Sequence, residues 1–517
     1  MPTQPFFAEP LPTPEEMTMW DTQSQAIGIH GLVLLENAAQ KTAALLLQTI
    51  PTLQSERIAC LLGSGNNGGD CAAIARYLHE AGCSVHLYCL KEPDAVSEAC
   101  ATQLGIATAL GIPRSPIADL FSHTPTVVLD GLLGTGFRKP LKSAMATLLT
   151  AINAKHYPHV VALDIPSGLC GTTGTPQPVA IQANQTIAMQ APKLGLMLPC
   201  AAPYVGTCSH VPIGIPRLIQ QRHPATHFLL TKALTSLQTP TLSNSYKTRF
   251  GSLGILGGGT PMHTGACHLA CLAALRMGTG MVYALTKDQS LPSIRSNLPE
   301  LMALGLGTQW TLSPSTERLL SSLQALVIGP GMGLEDQAGD LLASILTHPH
   351  RPPMVLDADA LTLLAANTTL LSLIAENDIL TPHPGEAARL LGCSAKEVQN
   401  DRLAALHKLT CLQKGVVVLK GAGTLIGQQG KPTFVSPWDL PILAIPGSGD
   451  VLAGIIGALV AQASLEPHFQ SLNRAAIGVT THCLCAHTLS KHYPNRGLLA
   501  HELCAAIPEV RANRCLP

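Results

Sequence analysis

Residues 57–82, RIACLLGSGNNGGDCAAIARYLHEAG, run from an aliphatic segment through a glycine-rich turn into a helical pattern. IACLLG reads as a strand, GGDCAAIARYLHEAG as a helix, and the following SVHLYCL as a second strand. Working outward, TVVLDGLLG, HVVALDIPSG and NQTIAMQAPK supply further strands, and KSAMATLLTAINAK a helix between the first two. This alternation predicts βαβ units and a doubly wound sheet.

Around residues 217–245 the pattern lapses into the polar, proline-interrupted stretch RLIQQRHPATHFLLTKALTSLQTPTLSNS, where a domain junction is expected. The alternation then resumes with SLGILGG as strand, TGACHLACLAALRMGTG as helix, and the strand segments ALVIGPGMG, PMVLDADAL and VVVLKGAGTLIG. At 517 residues the chain exceeds one ordinary core, and two tandem α/β domains, 1–224 and 225–517, are the expected organisation.

Composition narrows the function classes. Lysine plus arginine equal aspartate plus glutamate at 32 each, so no net field draws the chain to nucleic acid or a membrane surface. Charged residues make up 12% and aromatic ones 3%, against 46% hydrophobic, which suits aliphatic cores around buried parallel strands. The 16 cysteines include no C-x-x-C pair and sit mostly in apolar runs, as buried residues of a reducing compartment do. The start, MPTQPFFAEPLPTPEE, lacks the charged and apolar regions of a signal peptide. The apolar run from Val451 is about 13 residues, short of the roughly 20 a membrane span needs. A cytoplasmic protein is expected.

The turn GSGNNGGDC puts glycines between a strand and a helix, where phosphate can meet bare backbone and the positive end of a helix dipole. It is not read as the dinucleotide fingerprint G-x-G-x-x-G, because Asn66 and Asn67 supply side-chain amides, which suit a cation or a ribose. Asp130, followed by the glycine turn Gly134 to Gly136, and Asp164, followed by a proline turn with Ser167, stand at the ends of two more strands. Such ends converge on one crevice in a doubly wound sheet. Asp70 and Asp164 also have the bland reading of helix caps.

Together GSGNNGGDC, D-G-L-L-GTG and DIPSGL resemble the motif set of the NAD(P)H-hydrate epimerase domain, and LVLLENAA, with Glu36 and Asn37, resembles that family's amino-terminal helix. The resemblance implies a Rossmann-like three-layer sandwich. It also implies a substrate loop of Asn66, Asn67, Gly68, Gly69 and Asp70, with Gly134, Thr135, Gly136, Phe137, Arg138, Lys139 and Pro140. Potassium is expected on Asn67, Asp130 and Ser167, and Asp164 is the expected acid/base. Cys71, Cys170 and Ala39 depart from the family's usual residues.

In the second half, ALVIGPGMG, VLDADAL, LTPHPGEAARLLG, VVVLKGAGTLI and GSGDVLAGI resemble, in order, the ADP- or ATP-dependent NAD(P)H-hydrate dehydratases of the ribokinase fold, over roughly Tyr246 to Val510. Gly447, Ser448 and Gly449 precede an apolar helix, so their N–H groups form an anion cradle, and Asp450 can take a proton from a hydroxyl under phosphorylation. The resemblance implies nucleotide contacts from Lys420, Gly421, Ala422, Gly423, Thr424 and Gly449, and hydrate contacts from Ala266, Gly331, His383 and Asp450. Glu386 is a candidate for Mg²⁺. LPILAIPGSGD departs from the family's N-P-G-M-A-T-G-G approach to this motif.

The whole chain thus resembles the bifunctional NAD(P)H-hydrate repair enzymes. That implies catalytic Asp164 and Asp450, ADP or ATP as co-substrate, hydrated NADH and NADPH as substrates, K⁺ and Mg²⁺ as cofactors, and an oligomer of identical chains. The competing reading is a ribokinase-like small-molecule kinase whose amino-terminal half is a non-catalytic binding module.

Overall fold

The computed structural model describes residues 8–137, 140–237, 245–494 and 496–512. The chain falls into two compact units: Pro10–Phe228 make the first, and the residues from Leu229 onward, with Ala8 and Glu9, the second.

In the first unit seven strands form one parallel sheet: β2 (Arg57–Leu62), β3 (Ser84–Cys89), β4 (Arg114–Pro116), β5 (Val127–Gly131), β6 (His159–Leu163), β7 (Gln185–Met189) and β8 (Thr207–Val211), in the order β4-β3-β2-β5-β6-β7-β8. Side chains alternate across a strand, and β2 shows it: Ile58, Cys60 and Leu62 pack with Trp20, Leu34 and Leu78 on one face. Ala59 and Leu61 pack with Val128, Leu149 and Ile152 on the other. With both faces covered, the strands read as continuous apolar runs and the unit is a three-layer sandwich. Chain order reverses between β2 and β5, which opens a crevice at their carboxyl ends.

The glycines at that point are sterically required. A Cβ on Gly63 would stand 1.8 Å from the Leu132 carbonyl oxygen, and one on Gly68 2.1 Å from the Gly63 carbonyl oxygen. Glu36 of LVLLENAA binds neighbouring helices together rather than lining the crevice. It accepts from Arg76 (2.6 Å), Tyr77 (2.8 Å) and Gln103 (2.8 Å).

In the second unit a parallel block carries the fold: β10 (Ser252–Leu256), β11 (Met281–Thr286), β12 (Met302–Gly305), β13 (Ala325–Ile328), β14 (Met354–Leu356), β15 (Ile379–Leu380) and β16 (Val416–Leu419). Two antiparallel strands, β17 (Leu425–Gly427) and β18 (Thr433–Val435), follow β16. With β1 (Ala8–Pro10) and β9 (His227–Leu230) at one edge, the sheet has 11 strands in the order β1-β9-β18-β17-β16-β15-β14-β13-β10-β11-β12.

The apolar run from Val451 is the helix Ser448–Ala461, buried nearly throughout. Gly454 lets it approach the helix Thr264–Arg276, since a Cβ there would stand 2.2 Å from the Ala270 carbonyl oxygen. Among the described residues no helix is long and apolar enough to cross a membrane.

The stretch expected to be an irregular junction carries the helix Arg217–Arg222 and the strand β9, whose Phe228 and Leu230 are both 1% exposed. Three apolar residues between polar flanks are too short to register as a periodic signal. The described cysteines are free thiols, and most are buried, as expected from their apolar settings.

Candidate active sites

The first site lies at the crevice between β2 and β5, a cavity of 990 Å³. It is lined by Asn66, Asn67, Asp70, Gly134 to Phe137 and Asp164 from the expected set. The segment Asn66 to Asp70 is not a loop: the helix Asn66–Glu80 starts there, with Gly65 as its N-cap. Two extra residues of helix are gained because Gly68 and Gly69 are buried and pack on Gly63 and Cys100 rather than facing the cavity. Pro140 is exposed and does not line the cavity, and Arg138 and Lys139 lie outside the described residues.

Neither first-half acid is a helix cap. Asp70 sits inside the helix, and Asp164 follows β6 with a left-handed φ of 66°. That backbone, rare for a non-glycine residue, turns the Asp164 carboxylate toward β7. There Oδ1 accepts from the Met189 N–H at 3.0 Å and from Lys193 Nζ, which also donates to the Met189 carbonyl at 2.9 Å. Lys193 is 1% exposed, so the pair is buried at the cavity wall. Lys193 was missed in the sequence, although it ends the strand segment NQTIAMQAPK.

The Asp70 carboxylate makes no hydrogen bond to another described residue. Burial pushes its carboxyl up to about 8, with the Asp164 and Asp21 carboxylates adding to the shift and Lys193 opposing it.

Behind the cavity, Asp130 is wholly buried. Its carboxylate accepts from the Ser167 hydroxyl (2.6 Å), the Ser167 N–H (2.8 Å) and the Leu132 N–H (3.2 Å). Burial raises it to about 6 against those hydrogen bonds. Asn67 donates through Nδ2 to the carbonyls of Leu133 (2.9 Å) and Leu163 (3.2 Å), while its Oδ1 is buried without a partner. Cys71 points away from the cavity. It is 0% exposed and packs against Gly131, where a Cβ would come within 2.4 Å of it.

The second site gathers at the carboxyl ends of β14, β15 and β16. Asp357 follows β14, Thr381 follows β15 and Lys420 follows β16. Lys420 Nζ donates to Asp357 Oδ1 at 2.5 Å and lies 3.8 Å from Glu386 Oε2, while the Thr381 hydroxyl donates to the same Asp357 oxygen at 2.8 Å. Burial alone would lower the Lys420 ammonium, but the Asp357 and Glu386 carboxylates reverse that and raise it. Asp357, absent from the expected set, stands at a strand end like the other acids, and VLDADAL carried the signal.

Gly449 sits over this pair: a Cβ there would lie 3.4 Å from Lys420 Nζ and 3.9 Å from Asp357 Oδ2. Gly447 is the N-cap of the helix, so Ser448 and Gly449 already belong to its first turn, and Asp450 follows them on it. Asp450 is pushed up to about 7 by burial and by the Asp357 carboxylate, with Lys420 opposing and Asp359 adding. Glu386 rises likewise to about 7. Ser448 Oγ is 3.2 Å from Nε2 of His482, a buried ring that burial holds down at about 4.

His383 caps the helix Pro384–Leu391. Its Nδ1 accepts from the N–H groups of Gly385 (3.0 Å) and Glu386 (3.4 Å), which leaves Nε2 as the nitrogen that carries the proton. Gly331, with φ 61°, packs on the His263 backbone, and Ala266 stands just beyond in the first turn of its helix. Gly421 packs under the Arg402 guanidinium, Gly421 O accepts from the Thr424 hydroxyl at 2.8 Å, and Ala422 and Gly423 complete that turn.

Residues 31–195 match the family described as YjeF-related protein N-terminus, and residues 253–509 match NAD(P)H-hydrate dehydratase. A bifunctional NAD(P)H-hydrate repair enzyme of Coxiella burnetii is 35% identical over 92% of this chain and 94% of its own length. One of Escherichia coli is 32% identical over 94% and 92%. A crystal structure of a ribokinase-like superfamily protein of Enterococcus faecalis is similar at 26% identity and TM-score 0.50, over 56% of this chain and 98% of its own. Two strand-end sites, one with Asp164 paired to Lys193 and one with Asp450 near the Lys420–Asp357 pair, stand on a chain alike over its length to such enzymes, and it belongs to the bifunctional NAD(P)H-hydrate repair enzyme family.

Proposed function

We propose that residues 1–224 interconvert the R and S epimers of hydrated NADH and NADPH, and that residues 225–517 dehydrate the S form with ADP or ATP, giving AMP or ADP and phosphate. The observation that carries this reading is the pairing of two separate acid sites on one chain, Asp164 with Lys193 and Asp450 beside Lys420.

In the first site the hydrate is held by Asn66, Asn67, Asp70 and Gly134 to Phe137, and Asp164 relays a proton at C6. In the second, Lys420 to Thr424 and Gly449 hold the nucleotide, with Ala266, Gly331, His383 and Asp450 around the hydrate. The C6 hydroxyl attacks the terminal phosphorus and gives its proton to Asp450, while the bond from that phosphorus to its bridging oxygen breaks and AMP or ADP leaves. The C6–O bond then breaks with its electrons on the departing phosphate as the N1 lone pair forms N1=C6, and the C5 proton passes to phosphate or solvent as the C5=C6 bond forms and the electrons return to nitrogen.

Potassium fits the first site. The buried, unpartnered Asn67 Oδ1 and the buried Asp130 carboxylate, with the Ser167 hydroxyl, are oxygen donors that a monovalent cation would satisfy. Magnesium fits differently. Among the described residues no group of three or more His, Cys, Asp or Glu side chains is set to hold a metal, and Asp357 and Glu386 already face Lys420. A magnesium ion carried on the nucleotide phosphates, touching Glu386 directly or through water, suits that arrangement. The cytoplasm, reducing to these thiols, is the proposed compartment.

The test is to supply S-hydrated NADH, Mg²⁺ and ADP or ATP. Recovery of the dihydronicotinamide absorbance with an equal amount of phosphate is expected. A stable phosphorylated alcohol with no recovery would replace the reading with that of a kinase.

A further inference from the structure

The first cavity holds two carboxyl groups in opposite circumstances. Asp164 is tied on one oxygen to a buried ammonium and a backbone N–H. Asp70, on the first turns of the helix Asn66–Glu80, lines the same cavity, and its carboxylate has no hydrogen bond to another described residue. The groups that face Asp70 are mostly acidic or neutral: Asp21 from the helix Pro14–Ala26, Asp164 after β6, and Cys100 from the helix Glu98–Ala109. Lys193 is the cation among them, and it is committed to Asp164. His30 and Glu98 stand elsewhere on the cavity lining.

We propose that Asp70 is a second catalytic residue of the first site, a general acid that protonates the departing C6 hydroxyl while Asp164 serves as the base. The inference rests on reading this cavity as the epimerase site.

The chemistry asks for such a pair. C6 of the hydrate bears a hydroxyl and is bonded to the ring nitrogen N1, so inversion can proceed by exchange of that hydroxyl. Asp70 gives its proton to the hydroxyl, the C6–O bond breaks with its electrons on oxygen, and water leaves. The N1 lone pair forms the N1=C6 bond of an iminium ion. A water then adds to the other face, its proton passes to Asp164, and the N1=C6 electrons return to nitrogen. One water leaves and one enters, and the proton on Asp164 returns to Asp70 through solvent. In the reverse direction the two carboxyls exchange roles. One carboxyl without a cation partner and one paired with a buried ammonium within a single cavity is how such roles are separated. The elevated value of Asp70, about 8, keeps it protonated at neutral pH.

The experiment uses the full chain, with S-hydrated NADH in ¹⁸O-labelled water and no nucleotide, and follows both label at C6 and appearance of the R epimer. The wild type is expected to gain label as fast as it epimerises. Asp70→Asn is expected to lose both by about 100-fold or more, while Asp70→Glu recovers part of the rate. Unchanged dehydration of the S form by the same variants reports that the second unit is intact, and denaturant unfolding of the first unit as in wild type reports that it is folded. Epimerisation without label would mean that the ring opens at N1–C6 with its oxygen retained, and would overturn the proposal. So would an Asp70→Asn enzyme within about three-fold of wild type, far from the effect of losing a general acid. A wild-type chain that interconverts nothing would instead overturn the epimerase reading itself.

Discussion

Lys193 Nζ donates to Asp164 Oδ1 where the lysine is 1% exposed, so the carboxylate that ends β6 is neutralised by a side chain beyond the end of β7. Removing one partner of a buried pair leaves the other charge uncompensated. Lys193→Met is expected to cost about 3 kcal/mol in the first unit and to abolish epimerisation, with dehydration of the S form retained. Denaturant unfolding and the two assays check it; a variant as stable and as active as wild type would remove Lys193 from the site.

Four carboxyls stand above the ordinary carboxylate range: Asp130 at about 6, Glu386 and Asp450 at about 7, and Asp70 at about 8. Between about pH 4, where unfolded carboxyls titrate, and about pH 8 these four groups bind more protons in the folded chain than in the unfolded one, so they make stability fall as pH rises, while His482, held at about 4, acts the other way only below about pH 6.5. Their contribution is complete below about pH 4 and gone once the pH passes the folded values. The ligand-free protein should therefore melt at a lower temperature at about pH 8 than at about pH 5.5. Potassium should raise the melting temperature more at the higher pH, where Asp130 is ionised. A melting temperature that climbs steadily over this range would contradict both statements.

The same Asp450 must lose its proton to act as a base. In kcat/KM for the S hydrate, which reports the free enzyme, the rate should rise with pH through about 7. Asp357→Asn should move that limb to lower pH by removing a neighbouring negative charge, and should cut kcat at least about tenfold by releasing Lys420. A pH profile unmoved by this change would argue that Asp357 only supports the fold.

Much of this was legible because glycine turns and strand-end acids are local signals. The run GSGNNGGDC marked the crevice and ALDIPSG marked Asp164, and they stand at the carboxyl ends of β2 and β6, on either side of β5. Lys193 and Asp357 were not assigned, because their roles come from partners distant in sequence. The Lys420–Asp357 contact joins residues that only the adjacency of β14, β15 and β16 brings together. The start of the helix at Asn66 rather than Gly68 was hidden by glycine's low helix propensity, which close packing on Gly63 overrides.

Cys71 illustrates a departure from the family pattern that the structure absorbs. Its side chain fills the space left by Gly131 on the core side of the helix, away from the cavity. Cys71→Ala should cost about 1 kcal/mol through the cavity left behind, with KM for the R hydrate changed less than about two-fold because no cavity-facing atom is removed. A large change in KM at unchanged stability would place the thiol at the substrate.

The division of labour between the two sites is tested most directly by giving R-hydrated NADH, Mg²⁺ and nucleotide to Asp164→Asn and Asp450→Asn proteins and following dihydronicotinamide recovery and epimer composition together. Asp164→Asn should recover NADH from the S form at the wild-type rate and from the R form only at the spontaneous rate of epimerisation. Asp450→Asn should equilibrate R and S without recovering NADH. Equal loss of both activities in both variants would contradict it.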